Sequence, residues 1–149
     1  GTVVPKNSKE ALIALEDGIH TIDLETGTTS IFLNMKDALK GRRLNDGKCD
    51  PSGRFWVGSM HFSQTKGEAK LFCITNEPNI ETKIDSVTIS NGIVWTADKK
   101  TMYYIDTPTS QIKAYDFNNE TGEIFNGRVA VEIPENLENS RTWNRVANS

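Results

Sequence analysis

The chain has little cysteine, no long apolar run and no block of one charge. Its two cysteines, Cys49 and Cys73, lack CxxC spacing and a nearby histidine cluster, so we interpret them as free thiols packed in the interior. No apolar stretch approaches the ~20 residues of a membrane-spanning helix. Seventeen basic residues stand against twenty acidic ones, and no basic run alternates with aromatic residues. Nucleic-acid and membrane partners are therefore not expected.

Two further features are missing. Residues 1–10 lack the charged-then-apolar layout of a signal peptide, so a cytoplasmic location is expected, although a start at Gly1 leaves the true beginning of the chain open. Helical periodicity is almost absent, because ten or eleven short apolar or alternating runs are separated by turn residues. This pattern predicts an all-β chain, and 149 residues suit one modest domain.

Two Asn-Gly-type segments lie 46 positions apart (91 minus 45). The first contains Asn45-Asp46-Gly47, and the second contains Asn91-Gly92. Each is followed by a polar turn and then by an aromatic strand, Phe55-Trp56-Val57-Gly58 in one case and Met102-Tyr103-Tyr104-Ile105 in the other. A period of about 40 to 50 residues in a strand-rich chain is typical of β-propeller blades.

Two Thr-Gly turns extend the repeat, since Thr26-Gly27 and Thr121-Gly122 lie 95 positions apart (122 minus 27), close to two periods. Three blade-like units follow from these periods, at about residues 10–34, 45–85 and 91–133. The first unit is incomplete, which gives about two and three-quarter blades in a domain of residues 1–134. Residues 135–149 leave the pattern and are interpreted as a divergent tail. A β-sandwich also uses many short strands, but the internal period favours the propeller.

Polar side chains stand at the start of the predicted inner strands. In a propeller the innermost strand of each blade lines the central channel, so Asn45, Asp46 and Asn91 would converge on the axis. Their oxygens suit a hard cation such as calcium, and Arg43 could bind sugar hydroxyls or a carboxylate. Asn-Asp-Gly and Asn-Gly are also turn formers, so spacing alone leaves a binding site and a plain turn both open.

Two long segments carry a family signature. They are Arg-Leu-Asn-Asp-Gly-Lys-x-Asp-Pro-x-Gly-Arg-Phe-Trp-Val-Gly-Ser-Met at residues 43–60 and Ser-Asn-Gly-Ile-Val-Trp-Thr-x-Asp-x-Lys-x-Met-Tyr-Tyr-Ile-Asp at residues 90–106. Together with the strand at residues 115–117, they resemble the gluconolactonase, senescence marker protein and regucalcin family over about residues 10–134. The resemblance implies a six-bladed β-propeller that hydrolyses sugar lactones or related small esters. It also implies a divalent metal, most often calcium, with zinc, magnesium and manganese as alternatives.

The resemblance gives roles to individual residues. Asn91 matches the metal-binding asparagine of the family, while Arg43 and Asn45 match residues that contact the substrate. Asp46 follows the motif without a ligand role, so we expect it to orient the Asn45 segment. Ser63 stands where some members carry a substrate-contacting glutamate, and there the sequence departs from the family pattern.

Length is the larger departure. Six units of about 46 residues need roughly 280 residues, whereas the chain has 149. The family's other metal ligands have no counterpart here. They are a glutamate near the N-terminus and an aspartate of a later blade that is also the expected proton-transfer residue. We therefore expect a fragment of a metal-dependent lactone hydrolase that contains no catalytic residue and is inactive alone.

Two alternatives stay open. One is a non-catalytic calcium-binding or interaction propeller, since Ser63 replaces an expected acid. The other is a half propeller that pairs with another chain through its sheet edges, because unpaired strand edges invite partners. His20 and His61 belong to no recognisable nucleophile motif, so a catalytic dyad is not expected. His61 follows the Gly-Ser-Met strand and could line the channel mouth.

Overall fold

A computed structural model describes residues 1–75 and 79–134, which form three four-stranded sheets. The first sheet consists of β1 (Val3–Pro5), β2 (Glu10–Leu15), β3 (Gly18–Asp23) and β4 (Thr29–Asn34). The second consists of β5 (Arg42–Cys49), β6 (Phe55–His61), β7 (Ala69–Ile74) and β8 (Ile80–Val87). The third consists of β9 (Ser90–Trp95), β10 (Thr101–Asp106), β11 (Gln111–Asn118) and β12 (Glu123–Glu132), with a short 3-10 turn at Thr107–Thr109.

Each sheet is an antiparallel meander whose hydrogen-bonded neighbours are consecutive in the chain. The first strands of the sheets adjoin one another, since β5 contacts β9 on one side and β1 on the other. The last strands, β4, β8 and β12, therefore lie at the periphery. This radial arrangement is that of consecutive propeller blades, and it confirms the all-β propeller prediction over the sandwich.

The first sheet has one strand more than the sequence indicated. β1 pairs with β2 in the register Val3 to Ile13 and Pro5 to Ala11. Three residues are too few to show an alternating period, and a proline is uncommon inside a sheet. Because β1 is the first strand of its sheet, the side of Pro5 away from β2 needs no ladder partner. The predicted tail, residues 135–149, lies outside the described residues.

The core consists of two clusters, one on each side of the second sheet. Strand β6 supplies both, because its side chains alternate: Phe55 and Val57 pack toward the first sheet, and Trp56 packs toward the third. Burying each such side chain contributes about 1.5–3 kcal/mol. Trp56 also makes edge-on contacts with Trp95 at 5.6 Å and Phe117 at 6.2 Å between ring centroids. The blades are thus joined by apolar layers.

Both cysteines are free, as the sequence predicts: Cys73 is buried and Cys49 is half-buried. Burial raises the pKa of the Cys73 thiol to about 12, so this thiol stays protonated at neutral pH. None of the helices in the described part of the chain is long and apolar enough to cross a membrane.

A buried carboxylate ties the second sheet to the third. Asp50 accepts hydrogen bonds from the backbone N–H groups of Ser52 and Arg54, from Arg54 Nε at 2.6 Å and from Trp56 Nε1 at 2.9 Å. Arg54 in turn donates to the carbonyl oxygens of Asn119 and Glu120 in the turn between β11 and β12. The Asp-Pro-Ser-Gly-Arg part of the signature is therefore an inter-blade clamp.

Candidate functional site

The site residues indicated by the sequence come together at the start of two inner strands. Arg43 and Asn45 lie near the beginning of β5, and Asn91 is the second residue of β9. The side-chain amide of Asn45 donates from Nδ2 to the carbonyl oxygen of Ser90 at 2.8 Å. The two segments that lie 46 positions apart in the sequence are therefore in direct contact.

Arg43 is half-buried beside Asn45. Its Nη1 donates to the carbonyl oxygen of Leu44 at 3.2 Å and to Asn45 Oδ1 at 3.1 Å. Both bonds use the same nitrogen, so Nη2 and Nε have no partner among the described residues. A guanidinium has five N–H donors in a planar fork, and the free part of this fork suits a carbonyl, carboxylate or pair of hydroxyl oxygens.

Strand β5 is irregular where these side chains project. Its pairing with β6 shifts register between Leu44 and Gly47, and such bulges turn side chains away from the regular alternation. Asp46 lies inside the bulge, and its Oδ1 accepts a hydrogen bond from the Gly47 N–H at 2.9 Å. The Asn-Asp-Gly segment thus forms a bulge within a strand and not a hairpin turn.

The two asparagines are used differently. Asn45 has both ends of its amide engaged, because Oδ1 accepts from Arg43 while Nδ2 donates to Ser90. Asn91 is exposed, and its Nδ2 donates to Thr107 Oγ1 at 3.1 Å. None of the described residues donates a hydrogen bond to Asn91 Oδ1. Asn91 therefore offers an open amide oxygen, whereas Asn45 links Arg43 to β9.

Ser90, which precedes Asn91, is held by two side chains. Its Oγ accepts a hydrogen bond from the buried Tyr104 hydroxyl at 2.8 Å, and its carbonyl accepts from Asn45. Burial raises the pKa of Tyr104, so the hydroxyl remains a donor. A Cβ at position 58 would overlap the Ser90 side chain, which explains why glycine stands in the Phe-Trp-Val-Gly strand.

Asp106 and Thr107 hold the residues just before Asn91. Asp106 accepts from the backbone N–H of Ile89 at 2.8 Å and of Thr88 at 3.0 Å, while the Thr107 N–H donates to the Ile89 carbonyl at 3.1 Å. Sequence reasoning gave neither residue a role. The only indication in the sequence is that Asp106 ends the Tyr-Tyr-Ile-Asp segment. The hydrogen-bond partners of Asp106 cannot be read from the sequence.

The histidines and Ser63 have local partners. His61 is paired with Arg42 across β5 and β6, at the same end of the sheet as Arg43, and its Nδ1 accepts a hydrogen bond from the Ser63 N–H at 3.2 Å. Ser63 itself is exposed. In the first sheet His20 Nε2 lies 2.7 Å from Asp17 Oδ1, and this bond lowers the pKa of Asp17.

Two grooves border the site. A smaller one of about 280 Å³ has Arg43 in its wall, together with the apolar side chains of Leu15 and Phe62 and the carboxylate of Glu16. A larger one of about 830 Å³ runs along the inner strands β1, β5 and β9 and contains Asp46 and Lys48. Arg43 therefore lies in the wall of the smaller groove, beside Leu44.

The described residues do not form a complete metal site. Among residues 1–75 and 79–134, no three His, Cys, Asp or Glu side chains lie close enough to share an ion. Asn91 fits as one oxygen ligand, whereas calcium takes six to eight. The guanidinium of Arg43 on Asn45 Oδ1 makes that second amide oxygen a poor cation ligand.

Comparison with known proteins gives this geometry a context. The sequence profile of the SMP-30/Gluconolactonase/LRE-like region matches residues 1–140. Over 126 residues the chain is 33% identical to YvrE, a candidate sugar lactone lactonase of Bacillus subtilis, covering 84% of this chain and 43% of that protein. It is 36% identical over 117 residues to regucalcin of Bos taurus, covering 75% and 39% of the two chains.

The fold has solved counterparts. The structure of regucalcin, a calcium-binding protein, from Agrobacterium tumefaciens superposes with a TM-score of 0.82 at 24% sequence identity, covering 87% of this chain and 44% of that one. The chain thus spans less than half the length of these curated relatives and of this solved structure.

Proposed function

The chain belongs to the SMP-30/Gluconolactonase/LRE-like family, and we propose that it is the substrate-binding part of a metal-dependent sugar-lactone hydrolase. The observation that carries this proposal is the hydrogen bond from Asn45 Nδ2 to the Ser90 carbonyl at 2.8 Å. This bond brings the arginine end of β5 against the strand that carries Asn91. The guanidinium of Arg43 and the open amide oxygen of Asn91 then lie at the same end of the inner strands.

In this proposal Arg43 binds the substrate. Its free Nε and Nη2 donors form hydrogen bonds to hydroxyl or carbonyl oxygens of the lactone, while Nη1 stays fixed on Leu44 and Asn45. A guanidinium anchored at one nitrogen loses less freedom when a ligand binds than a free one does. The name of the Bacillus relative, a candidate sugar lactone lactonase, supports a lactone as the ligand.

Asn91 contributes one oxygen ligand to a divalent cation, with calcium favoured over zinc, magnesium and manganese. Support comes from the open Oδ1 of Asn91 and from the solved regucalcin, which is a calcium-binding protein. When bound, such a cation polarises a carbonyl and lowers the pKa of a bound water. The other ligands and the proton acceptor would lie on residues outside this chain.

The chain alone is therefore proposed to be inactive. It spans 43% of the Bacillus relative and 39% of the bovine one, and its described residues contain no cluster that holds an ion unaided. The expected result is no lactone hydrolysis above the spontaneous rate, with or without millimolar calcium. Calcium-dependent lactone hydrolysis by the chain would contradict the proposed inactivity. If Asn91→Ala abolished that hydrolysis, the role of Asn91 as a metal ligand would still stand.

Substrate binding is tested by calorimetry with a six-carbon sugar lactam, which resembles the lactone and does not hydrolyse. Arg43→Met should weaken binding by about tenfold or more, because a charged hydrogen bond contributes roughly 1.5–3 kcal/mol. Arg128→Met is the matched control. Arg128 lies on the exposed strand β12, and its ion pair is with Asp116 of β11. Equal binding by both variants would refute the role of Arg43.

A second candidate, an interaction protein, has one observation in its favour. The third sheet exposes Val94, Tyr103 and Val131, which border a shallow apolar groove of about 580 Å³. In the first sheet Ile31 is exposed, and so is Leu24, which directly follows β3. Exposed apolar faces of this kind are typical of protein interfaces, and we propose a second copy of the chain as the partner.

A further inference from the structure

Two consecutive residues hold both the backbone and the side chain of the Asn91 segment. Asp106 accepts from the N–H groups of Thr88 and Ile89. Thr107 donates from its N–H to the Ile89 carbonyl, and its Oγ1 accepts from Asn91 Nδ2 at 3.1 Å. The corner between β10 and β11 is thus bonded to the loop that enters β9.

These bonds are not needed by the corner itself. The 3-10 turn at Thr107–Thr109 closes through the Ser110 N–H, which donates to the Thr107 carbonyl, and through Thr109 Oγ1, which donates to the Asp106 carbonyl at 2.7 Å. Asp106 stands at the N-cap of this turn without a side-chain capping bond. The side chains of Asp106 and Thr107 are directed instead at the neighbouring strand.

The direction of an asparagine amide decides what it can bind. Its two ends differ, because the oxygen accepts hydrogen bonds or binds a cation whereas the nitrogen only donates. The torsion that turns this amide is soft, and Asn91 is exposed. The Thr107 hydroxyl accepts from Nδ2, and this bond leaves Oδ1 at the other end of the amide, away from Thr107.

We propose that Thr107 is a positioning residue that holds the Asn91 side chain in place through this hydrogen bond, on a backbone held by Asp106. The inference rests on the proposed function, in which Asn91 Oδ1 is a ligand. Partners behind a ligand commonly orient it, and their loss lowers affinity by about 10- to 100-fold. Here the partner is a hydroxyl on the next hairpin of the same blade.

The test begins with the metal-free chain, labelled with nitrogen-15. Thr107→Val removes the acceptor while keeping the shape, and Thr107→Ser keeps the hydroxyl. Thr109→Val is the matched control, because it alters the same turn without touching Asn91. Thr107 is exposed, so all three variants are expected to fold.

The first readout is the side-chain NH₂ group of Asn91. In Thr107→Val its hydrogen-bonded proton should shift upfield and exchange with water up to about tenfold faster, the equivalent of one net hydrogen bond. Thr107→Ser and Thr109→Val should resemble the wild type. An unchanged NH₂ signal in Thr107→Val, or an equal change in Thr109→Val, overturns the inference.

The second readout uses Mn²⁺, whose paramagnetism broadens signals of nearby nuclei even when binding is weak. Broadening at Asn91 should appear at several-fold lower Mn²⁺ in the wild type and Thr107→Ser than in Thr107→Val. Broadening that is present at Asn91 and equal in all three proteins overturns the positioning role. If the NH₂ signals follow Thr107 while no protein shows broadening at Asn91, positioning stands and the ligand role in the proposed function fails.

Discussion

At the scale of single residues, the amide of Asn45 uses both ends, with Arg43 on Oδ1 and the Ser90 carbonyl on Nδ2. The family resemblance gives Asn45 a substrate contact. The structure adds a structural role, because this side chain connects β5 to β9 through a hydrogen bond. A residue with both tasks should affect stability as well as binding.

Replacing Asn45 by leucine should lower the free energy of unfolding by about 1–3 kcal/mol, because the carbonyl of the buried Ser90 and Arg43 Nη1 both lose a partner. Asn45→Asp should also destabilise the fold, since its carboxylate still accepts from Arg43 but sets an oxygen against the Ser90 carbonyl in place of the donor. Urea unfolding followed by tryptophan fluorescence measures both. A leucine variant as stable as the wild type would show that this bond does not hold the strands together.

Gly58 provides a second residue-level prediction. Gly58→Ala should destabilise the fold by about 1–3 kcal/mol, because a Cβ there overlaps the Ser90 side chain. Gly92→Ala is the matched control, since its Cβ would meet only Ile105 at ordinary contact distance, 3.4 Å. Thermal unfolding of the two variants decides the matter, and equal melting temperatures would be evidence against the close approach of β6 and β9.

The buried thiol of Cys73 predicts a stability loss at alkaline pH. Burial raises its pKa from 9.0 to about 12. Below pH 9 the thiol is neutral in both the folded and the unfolded state, so its contribution to the stability of the fold is fully present. Between pH 9 and 12 it ionises in the unfolded chain only, and the free energy of unfolding falls.

Urea titrations at pH 7.5 to 10.5 measure the slope of the free energy of unfolding against pH. Cys73→Ala should flatten the slope without removing it, because burial also raises the pKa of Tyr104 and of Cys49. Cys49→Ala should flatten it less, since Cys49 is only half-buried. A slope that does not change in Cys73→Ala would assign the alkaline loss to other groups.

At the scale of elements, the clamp between the second and third sheets depends on Arg54. It pairs with Asp50, whose side chain is fully buried, and it donates to the turn between β11 and β12. Removing one partner of a buried pair leaves an uncompensated charge, which costs about 3–5 kcal/mol.

Arg54→Ala should therefore lower the free energy of unfolding by about 3 kcal/mol and speed hydrogen exchange in β11 and β12. The control is Arg128→Ala, which removes an exposed pair with Asp116 and should cost less than about 1 kcal/mol. Similar losses in the two variants would mean that the clamp adds nothing beyond a surface ion pair.

At the scale of the whole molecule, the first and third sheets expose apolar side chains, and we propose that a second copy of the chain covers their outer faces. If a second copy covers them, sedimentation should show a dimer at tens of micromolar chain. Val94→Lys with Val131→Lys should shift it to monomer, because both valines are 46–49% exposed on the third sheet. A wild-type chain that remains monomeric at these concentrations would exclude self-association.

The sequence predicted the sheets better than their connections. The repeat of Asn45 and Asn91 located the inner strands because aromatic strands follow each at the same distance. It missed β1, since Val3-Val4-Pro5 is too short to have a period. The contacts of Asn45 with Ser90 and of Asp106 with Ile89 depend on how blades pack, which a local pattern does not contain.

The central claim is that Arg43, Asn45 and Asn91 form one ligand site at the start of β5 and β9. The most direct measurement is a map of chemical-shift changes on titration of the nitrogen-15-labelled chain with the sugar lactam. The account predicts saturable changes at Arg43 Nε and at the side-chain amides of Asn45 and Asn91, all lost in Arg43→Met. Changes confined to the groove along β1, or none at these three side chains, would contradict it.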